Sequence, residues 1–141
     1  MPKFEWTEQH RVFVPEIDDE HQMIFKLCRN LQRAMAGGPP AAEVYSLVSE
    51  LAVQSLEHFW HEERQMRAEG YTFYVWHKQQ HHTASSKMKF LAGRIRRGDR
   101  DAARELLTFL HDWLDDHIRL TDRMLGAFLR NRRRELEARV S

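Results

Sequence analysis

Five histidines and two carboxylates are the residues of this chain whose types and spacing could bind metal ions. They fall in short patterns: H-F-W-H-E at 58–62, H-K-Q-Q-H at 77–81, H-I-R-L-T-D at 117–122 and a further histidine in I-D-D-E-H. Residues four apart share one face of a helix, so a pair at that spacing can hold one ion. The candidate ligands are His21, His58, Glu62, His77, His81, His117 and Asp122.

The spacing of the histidines alone is a weak signal. With nine histidines in 141 residues, about one accidental pair four residues apart is expected, and a lone core histidine is more often a hydrogen-bonded structural residue. The stronger signal is that these polar residues extend the apolar stripes of four separate predicted helices. Two buried carboxylates would be costly without partners, whereas a bound cation compensates their charge. We therefore favour a metal site in the core.

Four amphipathic segments must position these ligands. Apolar periodicity predicts helices at about 18–36, from 41 to just before Gly70, at about 75–97, and from Asp99, as the N-cap, onwards. A Gly-Gly-Pro-Pro run ends the first helix and a Gly-Asp pair ends the third. Short connections favour antiparallel neighbours. The prediction is an all-α fold, an antiparallel up-down-up-down four-helix bundle with an extended N-terminal arm.

The chain is expected to form one domain, 1–141, with a bundle at 18–129. Residues 1–17 show no helical period, and Pro15 is expected to interrupt any helix there, so they are predicted to cross the bundle as an extended arm. Residues 130–141 are rich in arginine. We expect them to be a solvated helical extension or a frayed end, and the rival interpretation is a docking patch for an acidic partner.

Composition narrows the possible partners and compartment. A formal net charge of +1 gives no reason to propose nucleic acid or a membrane surface as the main partner. We see no apolar run of membrane-spanning length and no hydrophobic leader. The single cysteine, Cys28, excludes an internal disulfide and suggests a reducing compartment, so we expect a cytoplasmic monomer with Cys28 as a buried apolar residue.

The spacing of His117 and Asp122 does not fit a regular helix. Five residues rotate a side chain through about 140° around the axis, away from the shared face. Either Asp122 reaches round, as a bridging carboxylate could, or the helix is locally distorted there. The sequence leaves both options open.

The ordered patterns D-x-E-H, H-F-x-x-E-E, H-x-x-x-H and W-L-x-x-H-I-x-x-x-D resemble the hemerythrin family, most closely single-domain bacteriohemerythrins. The resemblance runs from Trp6 to about Asp122 and fills all seven ligand positions. One departure is Glu20, where the family often has glutamine. The resemblance implies two iron ions joined by an oxo or hydroxo bridge. It places His77, His81 and His117 on one iron, His21 and His58 on the other, and Glu62 and Asp122 as bridges.

The function implied by the resemblance is non-enzymatic, reversible binding of dioxygen at the open position of the iron with two histidines. The implied oxygen pocket consists of Ile24, Phe59, Trp113, Leu114 and Ile118. The ligand balance agrees, because oxygen-activating di-iron bundles use mostly carboxylates, whereas here five neutral imidazoles favour the ferrous pair.

Other functions stay open from the sequence. The donor types would also accept zinc. A di-iron oxidoreductase could turn over peroxide or nitric oxide at the same position. A sensor could pass its ligand state to a protein partner, although we expect no output domain in this chain. Storage, delivery and sensing of oxygen are not distinguished.

Overall fold

The structure is a computed structural model and describes residues 2–140. Its long helices are α1 (Pro15–Ala36), α2 (Ala41–Ala68), α3 (Tyr74–Arg96), α4 (Asp101–Asp116) and α5 (Arg123–Val140). A π-helical segment, His117–Asp122, joins α4 to α5, so these three form one continuous rod. The predicted all-α four-helix bundle is therefore confirmed, with its fourth helix built from three pieces.

Each of the four helices of the bundle buries one apolar stripe in a common core. In α4 the stripe includes Leu106, Leu107, Leu110 and Leu114, all of which are buried. Burying a leucine side chain contributes roughly 1.5–3 kcal/mol, so these stripes fix which face of each helix points inwards. The polar residues in the same stripes are thereby carried into the core.

The end of α2 follows the prediction for Gly70. Gly70 has a φ of 66°, which a residue with a Cβ rarely adopts. The amide of Tyr71 donates to the carbonyl of Met66 at 2.9 Å, and the amide of Gly70 donates to the carbonyl of Arg67 at 3.3 Å. This pair of bonds is the Schellman motif, which satisfies the last carbonyls and turns the chain towards α3.

The start of α1 differs from the prediction. The helix begins at Pro15, three residues before the expected start at 18, so the expectation that this proline interrupts a helix was wrong. Proline is tolerated in a first turn, where its missing N–H would have had no partner. The arm also contains a single 3-10 turn at Glu8–His10.

The arm is fastened to the two helices at the ends of the chain. The Asp18 carboxylate in α1 accepts hydrogen bonds from the amides of Val12 (2.9 Å) and Phe13 (3.1 Å). From α5, Arg130 donates to the carbonyl of Val12. A Cβ at Gly126 would lie 2.5 Å from that same carbonyl oxygen. Glycine at 126 therefore allows the arm to lie directly on α5.

The C-terminal extension is exposed, whereas the single cysteine is buried. Residues 131–140 continue α5 as a mostly exposed helix. Cys28 is buried as a free thiol, and burial raises its pKa. Within residues 2–140, no helix has both the length and the apolar character needed to cross a membrane.

Candidate metal centre

The structure brings all seven predicted ligands together in the core, where each is at most 4% exposed. α1 contributes one of them, α2 and α3 contribute two each, and the π-helical segment contributes the last two. The two regular helices act as the spacing predicts. In α2, for example, His58 Nε2 lies 2.9 Å from Glu62 Oε2, because residues four apart share a face.

The π-helical segment explains the five-residue spacing. Its hydrogen bonds run from residue i to i+5, so residues five apart stack on one face. Accordingly, His117 Nε2 lies 3.1 Å from Asp122 Oδ1. Of the two options that the sequence left open, a reaching Asp122 or a distorted helix, the structure shows the distorted helix.

Glu62 faces two groups of imidazoles with its two oxygen atoms. Oε1 lies 3.2 Å from Nε2 of both His77 and His81. Oε2 lies 2.9 Å from Nε2 of His58 and 3.5 Å from Nε2 of His21. One carboxylate therefore spans both groups.

Asp122, in the π-helical segment, also faces both groups of imidazoles with its two oxygen atoms. Oδ1 lies 3.0 Å from His77 Nε2 and 3.1 Å from His117 Nε2, while Oδ2 lies 3.0 Å from His21 Nε2. Two sets of donors result, and within each set all donor atoms lie within 4.8 Å of one another. One set has three histidines and the other has two, and both include the two carboxylates.

The donor atoms are close to one another but are mostly not hydrogen-bonded. Nε2 of His21, His58, His81 and His117 has no hydrogen-bond partner, nor do Glu62 Oε2 and both oxygens of Asp122. Buried polar atoms in proteins are nearly always paired, and leaving them unpaired is costly. These atoms are close to one another without the geometry of a hydrogen bond, and a cation in the space that they share would satisfy them. The donor set therefore fits metal ions.

Charge in the cluster supports the same conclusion. Burial acts to raise the pKa of Glu62 and Asp122, but the surrounding imidazoles outweigh it and hold the pKa of both carboxyls well below its usual range. Burial acts to lower the pKa of His58 and His77, but the carboxylates raise them to about 10 and about 9. The carboxylates thus favour positive charge in the cluster, which bound metal ions would supply.

Three ligand imidazoles donate through Nδ1 to an acceptor outside the cluster. Such a bond fixes the tautomer and leaves Nε2 free to bind a metal ion. The pairs are His58 with Glu20 Oε1 (2.9 Å), His81 with Glu63 Oε2 (2.9 Å) and His117 with Gln80 Oε1 (2.8 Å).

Two aromatic rings lie flat against ligand imidazoles. Trp113 stacks on His117 at 4.2 Å with 14° between the planes, and Phe59 stacks on His81 at 4.2 Å with 12°. Both were predicted as pocket residues. The other three, Ile24, Leu114 and Ile118, are buried in the core.

Comparison with known proteins agrees with this geometry. The family model described as the hemerythrin HHE cation binding domain matches residues 12–129. The chain belongs to the hemerythrin family. The resemblance seen in the sequence is therefore confirmed, and members of this family bind iron.

Individual hemerythrins match most of the chain. Bacteriohemerythrin of Stenotrophomonas maltophilia is 30% identical over 83% of this chain and 75% of its own length. Myohemerythrin-1 of Phascolopsis gouldii is 33% identical over 83% of this chain and 87% of its own. A crystal structure of wild-type hemerythrin superimposes with a TM-score of 0.81 at 27% identity, covering 87% of this chain and 95% of that one.

Several contacts around the ligands escaped the sequence reasoning. Glu63 follows the candidate ligand Glu62 in α2, and its side chain is 21% exposed and contacts His81. Its partner lies on another helix, and periodicity within one helix cannot reveal such a contact. Gln80 was missed for the same reason. On α2, His61 Nδ1 lies 2.6 Å from Glu20 Oε2 in α1.

Proposed function

We propose that this protein holds two iron ions in the buried cluster and binds dioxygen reversibly, without catalysing a reaction. Hemerythrins are a non-heme di-iron, oxygen-binding family. The observation that supports the proposal best is the placing of the two carboxylates, each of which directs one oxygen to each group of histidines. A pair of bridged ions needs such an arrangement.

The roles follow from the two donor sets. One ion would be held by three imidazoles and the other by two, and the ion with fewer protein ligands keeps the position for a small ligand. We assign His77, His81 and His117 to the first ion, His21 and His58 to the second, and Glu62 and Asp122 to both.

When bound, a ferrous pair supplies the open position and the electrons that reversible dioxygen binding needs. The chain supplies an environment that keeps water and protons away. Ile24, Phe59, Leu114 and Ile118 are each at most 5% exposed, and we assign them, with Trp113, to the oxygen pocket. The bonds from Nδ1 to Glu20, Glu63 and Gln80 hold three of the rings in place.

The distribution of acids favours binding over turnover. Among residues 2–140, the buried carboxylates are Glu62, Asp122 and Asp18. The first two are the proposed bridges, and Asp18 binds backbone amides of the arm. A buried acid free to deliver protons would favour the alternative, a di-iron oxidoreductase acting on peroxide or nitric oxide, and these residues do not include one.

The test uses the full chain loaded with ferrous iron without oxygen. We expect about two iron ions per chain, an optical change on adding dioxygen, and recovery of the first spectrum when dioxygen is removed. Zinc-loaded protein is the control and should show no change. If dioxygen causes only irreversible oxidation while peroxide or nitric oxide is consumed over many turnovers, the oxidoreductase is the correct function.

Three further expectations stay predictions. They are a monomeric state, a cytoplasmic location, and a protein partner for delivery or signalling. Sedimentation, cell fractionation and cross-linking in cells would check them in turn.

A further inference from the structure

The ligand His58 is connected to the surface through two further side chains that can bind metal ions. Its Nδ1 lies 2.9 Å from Glu20 Oε1, and Glu20 Oε2 lies 2.6 Å from His61 Nδ1. Exposure falls along this line. The side chain of His61 is 47% exposed, that of Glu20 is 32% and that of His58 is 3%. Imidazole and carboxylate groups thus lead from solvent to the cluster.

The other two outer contacts do not continue outwards in this way. Glu63 contacts His81 through one oxygen, with no imidazole beyond it among the contacts that the structure describes. Gln80 accepts from His117, and its oxygen also accepts from the buried hydroxyl of Thr121 at 2.8 Å. Its second partner therefore lies inside the protein.

The outer end of the line opens into a surface depression of about 330 Å³. Its lining consists of Glu16, Glu20, His61, Arg64, Gln65 and Ala68. Glu16 pairs with Arg133 and Gln65, and the guanidinium of Arg64 lies over the ring of Trp60 at 5.0 Å. Among these residues, Glu20 is partly exposed and contacts the cluster residue His58, and the more exposed His61 contacts Glu20.

We propose that His61 and Glu20 form the route by which divalent metal ions reach the buried cluster. The inference rests on the proposed di-iron function. An ion first exchanges water for His61 and then binds Glu20. Binding there breaks the bond from His58 Nδ1 to Glu20, which frees the ring to turn and to take the ion on Nε2. Each exchange replaces one imidazole or carboxylate donor with another, so the ion is never left in the apolar core without ligands.

A route and a support for the ligands make different kinetic predictions. A route lowers the barrier in both directions, so removing a step slows uptake and release equally and leaves the equilibrium affinity unchanged. A residue that only orients His58 through Glu20 would change affinity and the release rate, because support for a ligand strengthens the final complex.

The experiment follows cobalt(II) binding to the metal-free full chain by stopped flow. The visible absorption of ligated cobalt reports arrival at the cluster. Release is measured by adding excess chelator. The variants are His61→Ala and, as a matched control, His82→Ala, which removes an exposed histidine of α3. Circular dichroism verifies that each variant is folded.

We expect His61→Ala to slow uptake and release on the order of tenfold, which corresponds to about 1.4 kcal/mol in barrier height, with two ions bound at unchanged affinity. His82→Ala should match the wild type. Unchanged uptake in His61→Ala, or weaker affinity with unchanged uptake, would overturn the route. If the wild type itself does not bind two ions, the proposed function fails instead, which is a separate result.

Glu20→Gln gives a second test on the same line. The amide oxygen can still accept from His58, but the side chain loses the charge that attracts a cation. We expect slower uptake than in the wild type, with two ions still bound at saturation. Uptake at the wild-type rate in this variant would also contradict the route.

Discussion

In α2 a histidine and a carboxylate four residues apart lie 2.9 Å from each other, whereas between α4 and α5 a histidine and a carboxylate five residues apart lie 3.1 Å apart. The first pair uses regular α-helix and the second uses a π-helical segment. Both pairs reach the same cluster from different sides. The comparison teaches that the site requires a shared face and tolerates a different backbone to produce it.

Removing the carboxylate from either region should have the strongest effect. In Glu62→Ala and in Asp122→Ala, one link between the two groups of imidazoles disappears together with its negative charge. Breaking a buried charge pair costs about 3–5 kcal/mol. We therefore expect both variants to lose both ions, and to unfold at a lower temperature than the wild type when metal ions are present. Elemental analysis and thermal unfolding measure the two effects. Glu57→Ala, an exposed α2 position, is the control. Full iron content and an unchanged spectrum in both variants would show that these residues are not bridges.

Deleting one exposed residue from each region should have opposite outcomes. Without Trp60, which is 55% exposed, His58 and Glu62 would be three residues apart. The part of α2 after the deletion, including Glu62, would rotate by about 100° relative to the part before it. We expect metal binding to be lost. Without Leu120, which is 61% exposed, His117 and Asp122 would be four apart, and a regular helix would put them on one face. We expect that deletion to keep both ions.

Metal content and the visible spectrum of the cobalt(II) form measure the two deletions side by side. Equal damage from both would mean that the π-helical segment is needed for more than the placing of Asp122. That result would contradict the equivalence of the two backbones.

The residues three positions before His117 and three positions before His58 form a further matched pair. Leu114 and Ser55 are both buried. Leu114→Ala should lower the free energy of unfolding by about 2–5 kcal/mol, admit water and shorten the life of the spectrum that dioxygen induces. Ser55→Ala should be nearly neutral, because the Ser55 hydroxyl is buried without a hydrogen-bond partner. Denaturant unfolding and absorption decay under oxygen are the measurements. A longer-lived oxygen spectrum in Leu114→Ala would contradict the proposed pocket.

Ending the chain at Asn131 should have the smallest effect. The removed segment contributes partly exposed pairs, Arg132 with Glu69 and Arg133 with Glu16, and such pairs contribute about 1 kcal/mol or less. We expect iron content and oxygen binding to remain. Loss of both would show that the extension is part of the core.

Periodicity accounts for how much of this site could be predicted. Ligands such as His77 and His81 extend an apolar stripe, so their burial follows from the same pattern that predicts the helix. The ends of α2 and α3 carry glycines that can be recognised directly. For this reason the bundle and the inward direction of these polar residues follow from the sequence alone.

What the sequence left open depends on contacts between elements. The spacing of His117 and Asp122 indicates that a regular helix does not fit, but the choice between a distorted helix and a reaching side chain depends on what Asp122 contacts across the core. Glu63 lies beside the ligand stripe of its own helix, and only the neighbouring α3 brings His81 to it. Pro15 could either end an arm or begin a helix, and the amides bound by Asp18 favour the second.

The fastening of the arm has a consequence for the order of events during synthesis. Val12 and Arg11 accept hydrogen bonds from Arg130 and Arg123, more than a hundred residues later in the chain. A ribosome delivers the first residues long before these arginines exist, so until then the arm can be held only by earlier contacts, such as the bonds to Asp18 in α1. Asp122 belongs to the same late segment. The nascent chain can therefore attach its arm to the far end of the bundle, and complete the candidate metal centre, only when its last helix leaves the ribosome.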